Sequence, residues 1–137
     1  MKNFEEFGSR EEMSPNYCSY SIGDGENRPW GNWVVLDAGP GYIVKKISVN
    51  TGHRLSLQLH RNRAEDWLVA HGTGTAQIGD NILEIVAGSS IHIPIFTPHR
   101  LCNNGHETLT LIEIQRGKIL EERDIVRLSD DYDRDRR

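Results

Sequence analysis

The chain has 137 residues and carries 16 Lys and Arg against 20 Asp and Glu, a formal net charge of −4. That length suits one domain with its own core, and the acidic balance disfavours nucleic acid or an anionic membrane as partner, since both call for a basic surface. No stretch approaches the roughly 18 apolar residues of a membrane span, the amino terminus has no apolar signal core, and the two cysteines, Cys18 and Cys102, have neither metal nor redox spacing; together these predict a protein of the reducing cytoplasm.

Residues 1–27 combine charges, Ser, Asn and Gly with scattered aromatics (Phe4, Phe7, Tyr17, Tyr20), which is poor material for a packed element and suits an arm laid over a partner. A single domain is predicted over 28–134. From Asn32 onward apolar and β-branched runs recur at short spacing, separated by turn clusters at 39–41, 51–52, 72–74, 79–81, 88–90 and 103–105. That rhythm predicts an all-β sandwich or barrel. Strands are expected over 32–37, 42–50, 54–60, 65–71, 73–78, 81–86, 90–94, 98–102 and 107–115, with one short helix over 120–127, where Glu121, Glu122 and Asp124 precede Arg127. The tail after Ser129 alternates in sign and reads as a solvated end.

Within the third strand, Arg54, Ser56, Gln58 and His60 alternate with Leu55, Leu57 and Leu59, so a continuous strand gathers every polar side chain on one face. Glu65 follows His60 after four residues, and a short turn would return its carboxylate beside Gln58 and His60. His99 comes just after a Pro-bounded strand whose rigid turn fixes its direction. Two imidazoles, a carboxylate and an amide oxygen suffice to hold one divalent first-row ion and leave positions open. Gln58, His60, Glu65 and His99 are therefore the candidate ligands; the set favours Zn²⁺, with Fe²⁺, Mn²⁺, Co²⁺ and Ni²⁺ also suited. His53, His71, His92 and His106 carry no such pattern.

The stretches G-x5-Q-x-H-x4-E-x6-G (52–72) and G-x5-P-x-F-x2-H-x3-N (88–103) resemble the paired motifs of the cupin family, with Gln58 where most cupins have a His and Phe96 where they have a Gly. Arg-Pro-Trp-Gly at 28–31, Arg-Leu-Ser-Leu-Gln at 54–58, Arg-Ala-Glu at 63–65, Trp67, Ile-Pro at 93–94, His-Arg at 99–100 and Asp-Ile-Val-Arg at 124–127 narrow this to the type II phosphomannose isomerase domain. The resemblance implies a double-stranded β-helix (jelly-roll barrel), a divalent ion, and interconversion of mannose 6-phosphate and fructose 6-phosphate. Such domains often follow a sugar nucleotidyltransferase in a longer chain, for which this one has no room, so it reads as the isomerase module alone. A sugar phosphate would be met by Arg54, on the face of Gln58 and His60, by Arg63 between two ligands and by Arg100 beside His99. Glu113, Lys45 and Lys46 are the candidate bases. Asn62 and Asp66 replace two histidines of the family pattern, which keeps a non-catalytic sugar-binding cupin as one alternative; an Fe²⁺ oxygenase using His60, Glu65 and His99 is another. A homodimer is expected, in which a second subunit covers Leu55, Leu57 and Leu59 and receives Tyr17 and Tyr20 as an edge strand. The family's acidic-Tyr-x-Arg ending implies that Tyr132 and Arg134 fold back onto the domain.

Overall fold

Period-two alternation governs the middle of the chain. In the computed structural model, whose description covers residues 17–132, Ile43, Lys45, Ile47 and Val49 are buried while Lys46 between them is exposed, and Leu109, Leu111, Glu113 and Gln115 repeat the pattern. Each strand thus has an inner and an outer face.

The described residues form strands β1 (Tyr17–Cys18), β2 (Gly25–Arg28), β3 (Gly31–Gly39), β4 (Tyr42–Val49), β5 (Leu57–Leu59), β6 (Ala64–His71), β7 (Thr73–Ile78), β8 (Asn81–Val86), β9 (Ser90–Ile93), β10 (His99–Cys102), β11 (Leu109–Arg116), β12 (Ile119–Leu120) and β13 (Val126–Ser129). A six-stranded sheet in the order β2-β3-β4-β11-β6-β9 faces a five-stranded sheet in the order β13-β5-β10-β7-β8, and all these pairings are antiparallel. The architecture is the jelly-roll of the cupins. Trp33, Val35, Ile43, Ile47, Val49, Val69, Ala76, Ile85, Leu101, Leu109 and Leu111 fill the space between the sheets.

Three expectations need correction. No helix occurs among the described residues, and 120–127 runs from the end of β12 through a turn at 121–125 into β13. Its acidic residues do other work: the Asp124 carboxylate accepts the backbone N–H groups of Arg61 and Asn62 at 2.9 and 3.0 Å, and Leu120 is fully buried. An acid used to cap a neighbouring loop looks, in sequence, like an acid at a helix start. Second, part of the supposed arm belongs to the domain. β1 pairs in parallel with β12 of its own chain, Tyr20 is buried against Trp33 edge to face, and β2 extends the larger sheet. Third, the strand expected over 54–60 is interrupted: Arg54 makes a lone bridge to Cys102, and the ladder resumes only at Leu57. Leu57 and Leu59 are half-buried under β13, and Leu55 lines an internal pocket. Tyr132 does return to the domain, its hydroxyl 2.6 Å from His53 Nδ1; Arg134 lies outside the described residues.

Candidate metal centre and pocket

Three strands and one turn converge on a pocket between the sheets. His60 follows the last residue of β5, the Arg63 turn leads into β6 with Glu65, and β10 opens with His99, whose Cα register partner on β5 is Gln58. His60, Glu65 and His99 are all buried, and one ligand atom from each lies within 4.8 Å of the other two. His60 Nε2 is 3.1 Å from Glu65 Oε2, and His99 Nε2 is 3.6 Å from Glu65 Oε1.

Both imidazoles have their outer nitrogen engaged by backbone. His60 Nδ1 lies 2.6 Å from the Asp124 carbonyl and His99 Nδ1 2.9 Å from the Thr97 carbonyl. A carbonyl only accepts, so each Nδ1 carries the proton and each Nε2 presents a lone pair inward. His99 Nε2 is buried without any hydrogen-bond partner, an uncommon situation for a buried polar atom. Burial, with the neighbouring His60, holds the His99 imidazole below its usual proton affinity, against the pull of Glu65. For Glu65 burial works upward, yet the neighbouring His60, Glu113 and His99 side chains outweigh it and keep the carboxyl well below its ordinary range. Two neutral nitrogens and an ionised carboxylate, one nitrogen otherwise unsatisfied, fit a borderline divalent ion. Gln58 lines the same pocket, its Oε1 3.2 Å from Ser56 Oγ.

Above the triad, Glu113 of β11 stands in register with Lys45 on β4 and Trp67 on β6. Trp67 Nε1 donates to Glu65 Oε1 and to Glu113 Oε2, both at 3.1 Å, and Gln115 Nε2 donates to Glu113 Oε1 at 2.8 Å. Complete burial, then the Glu65 charge and hydrogen bond, push the Glu113 carboxyl up to about 8, with Lys45 and Arg63 opposing. Burial lowers the Lys45 ammonium, while Glu113 and Glu122 resist. Arg63 donates to the Glu121 carbonyl at 3.0 Å, reaches His60 Nε2 at 3.3 Å and lies 3.5 Å from Glu65.

The sequence candidates divide accordingly. Gln58, His60, Arg63, Glu65, Lys45 and Glu113 line one pocket, and His99 stands against Glu65 at its edge. Lys46 is on the outer face of β4 and exposed. Arg54 is not in the pocket; the break at Leu55 and Ser56 resets the strand's parity, and Arg54 forms a two-pronged pair with Asp131 at 2.8 and 2.9 Å. Arg100 points away as well, tying the Leu55 and Ser129 carbonyls together. Asn62 is exposed, and Asp66 sits on the outer face paired with His92 and Arg116, so neither substitution removes a group from the pocket. Sequence reasoning missed Arg28, Tyr20, Trp67, Gln115 and Glu122 as site residues. Arg28 stood inside the quoted Arg-Pro-Trp-Gly segment and Gln115 two residues after the candidate base Glu113, but nothing in spacing tied Tyr20 or Glu122 to the metal motifs.

Comparison with known proteins agrees with this architecture. A family model described as mannose-6-phosphate isomerase C-terminal matches residues 20–130. The xanthan biosynthesis protein XanB of Xanthomonas campestris pv. campestris (strain B100) is 46% identical over 107 residues, covering 78% of this chain and 23% of that protein. The mannose-1-phosphate guanylyltransferase of Escherichia coli (strain K12) is 45% identical over 107 residues, covering 78% of this chain and 22% of that protein. The cupin domain of Schizosaccharomyces pombe Cnp3 superposes with a TM-score of 0.61 at 10% identity over 63% of this chain and 64% of that one, a likeness of fold alone. This chain spans under a quarter of the curated relatives it matches. The expectation of a self-contained mannose 6-phosphate and fructose 6-phosphate isomerase is thereby corrected, because those relatives are longer proteins named for xanthan biosynthesis and for guanylyl transfer.

Proposed function

This chain belongs to the mannose-6-phosphate isomerase C-terminal family, and from that premise we propose that its pocket is an isomerase site of sugar metabolism, in which Glu113 carries a proton between neighbouring carbons of a sugar. The observation that supports this reading most is the second buried carboxylate: Glu113 shares the Trp67 N–H with Glu65 yet stands outside the ligand triad. A site built only to hold an ion has no use for it.

His60, Glu65 and His99 would hold the ion, with Gln58 beside them, and we read it as zinc from the nitrogen and oxygen donors. A bound divalent ion supplies Lewis acidity toward a carbonyl oxygen and so acidifies the adjacent C–H. Glu113 takes that proton as its carboxylate and returns it to the neighbouring carbon, and its burial raises its basicity for the task. Trp67 and Gln115 fix the carboxylate from opposite oxygens, so it need not reorganise during transfer. Arg63 places a fixed positive charge 3.5 Å from Glu65.

The test is carbon-bound hydrogen exchange. Zinc-loaded protein incubated in heavy water with a panel of hexose phosphates is expected to place deuterium on the carbon next to the carbonyl of one of them, and Glu113→Gln is expected to abolish this while retaining metal. Absence of exchange with every sugar, or undiminished exchange in the variant, would overturn the reading.

A further inference from the structure

The two facing sheets have four outer edges, β2, β9, β13 and β8. An edge strand offers unpaired N–H and C=O groups to any other strand unless charge, proline, a bulge or shortness blunts it. Three of the four are blunted. β2 is four residues long and carries Glu26 and Arg28, β9 is four residues long and runs into Pro94, and β13 is broken by a bulge between Arg127 and Ser129. β8 is six residues long, Asn-Ile-Leu-Glu-Ile-Val, with one charge and an unshifted register against β7.

Its side chains are correspondingly uncovered. Ile82 and Val86, on the outer face, are 70% and 55% exposed. Leu83 shares the core-facing parity of Ile85, which is 2% exposed, yet it stays 44% exposed because the sheet ends beside it. Leu57 and Leu59, for which the sequence predicts cover from a second subunit, lie instead under β13 of their own chain.

Backbone hydrogen bonding narrows what can cover this edge. β7 and β8 are joined by two residues, Gly79 and Asp80, so Ile78 and Asn81 form the hydrogen-bonded pair nearest the turn. The alternation of an antiparallel ladder then turns the N–H and C=O groups of Asn81, Leu83 and Ile85 toward β7, and those of Ile82, Glu84 and Val86 toward the open edge. Ser89 engages the last of these: its N–H donates to the Val86 carbonyl at 2.9 Å, and its Oγ accepts the Val86 N–H at 3.0 Å. Among the described residues, Ile82 and Glu84 are left as the two whose edge-facing groups no hydrogen bond engages.

We propose that β8 pairs antiparallel with β8 of a second copy of this chain, about a two-fold axis through Leu83. Ile82 of each copy then exchanges both backbone hydrogen bonds with Glu84 of the other, which uses all four open groups on each edge. Leu83 meets its own copy in the intervening non-hydrogen-bonded pair, where side chains approach most closely, on the core-facing side that lacks cover. Moving the axis one residue either way sets Glu84 opposite an acid, its own copy in one direction and Asp80 in the other, and like charges directly opposed are destabilising. An axis at Glu84 would also call on the Val86 groups that Ser89 holds. The pairing joins two five-stranded sheets into one of ten and closes both β8 edges, so assembly stops at two.

Sedimentation equilibrium of the 137-residue chain, from roughly 1 to 500 μM, is expected to show a monomer–dimer equilibrium without larger species. Glu84→Pro removes an edge-facing N–H and spares the β7 ladder, a position where an outer strand tolerates proline; it is expected to raise the dissociation constant at least about tenfold with metal stoichiometry unchanged. Leu83→Cys is expected to form a disulfide-linked dimer under diamide, a thiol oxidant, because the opposed Cα atoms of such a pair, about 4.5 Å apart, suit a disulfide. Glu84→Cys and the parent chain, with its own Cys18 and Cys102, are expected not to. The cysteine readout does not depend on the proline variant folding. A parent chain that stays monomeric throughout, equal association in a folded Glu84→Pro, or a disulfide that forms as readily in Glu84→Cys as in Leu83→Cys would each overturn the proposal, as would assembly beyond the dimer, which a two-fold pairing of one edge forbids.

Discussion

Along β4, β11 and β6 the two ends of the barrel are built from the same strands and differ in side-chain identity. Along β11 the buried residues Leu109, Leu111, Glu113 and Gln115 follow at intervals of two, facing Val49, Ile47 and Lys45 on β4 and Val69, Trp67 and Glu65 on β6. One end closes on aliphatic packing. The other buries two carboxylates and an ammonium within the same ladder, which costs stability unless each is paired or hydrogen-bonded. The comparison teaches that strand period decides what is buried, while the chemistry of the buried residue decides whether it serves the fold or the site.

That contrast can be broken at either end. Leu111→Ala, at the closed end, is expected to lower unfolding free energy by about 2–5 kcal/mol, read from denaturant titration, while the protein that remains folded keeps its full metal stoichiometry. Glu113→Gln, two residues along, should do the opposite: turnover falls by at least about a hundredfold, with the melting temperature held near neutral pH, where burial keeps the carboxyl protonated, and raised above about pH 8, where the variant removes a buried charge. A variant that lost stability and kept activity would place Glu113 with the leucines.

Between these extremes lies Asp124→Ala. Its carboxylate anchors the Arg61 and Asn62 amides, and its carbonyl orients His60, so metal affinity is expected to fall about 10- to 100-fold by chelator competition. Unchanged affinity would show that the His60 ring is positioned without the turn. The smallest effect belongs to Arg54→Ala, where loss of an exposed pair with Asp131 should cost under about 1 kcal/mol and leave the Michaelis constant unaltered.

These expectations also mark what could be read beforehand. Strands with strong alternation and clear turn residues were legible nearly to their ends, and so were His60, Glu65 and His99, because a local turn and a Pro-bounded strand constrain where each points. Arg54 was misplaced because parity extrapolates only along an unbroken ladder, and no residue between 54 and 58 announces the break. The turn at 120–127 was misread because its acids serve another loop, a use that depends on long-range pairing of β13 with β5. Tyr20 and Glu122 were invisible for a related reason: they meet only because β1 lies along β12, some hundred residues on. Phe96 shows the limit of a motif, since it takes the left-handed φ of 60° that favours glycine and still donates its N–H to the His60 carbonyl at 2.8 Å.

The central claim is that His60, Glu65 and His99 hold one ion, and elemental analysis of the 137-residue chain beside its His99→Ala variant tests it most directly. The account predicts close to one equivalent of divalent metal in the parent chain and near none in a folded His99→Ala; equal metal in both proteins, or none in the parent even after equilibration with zinc, would contradict it.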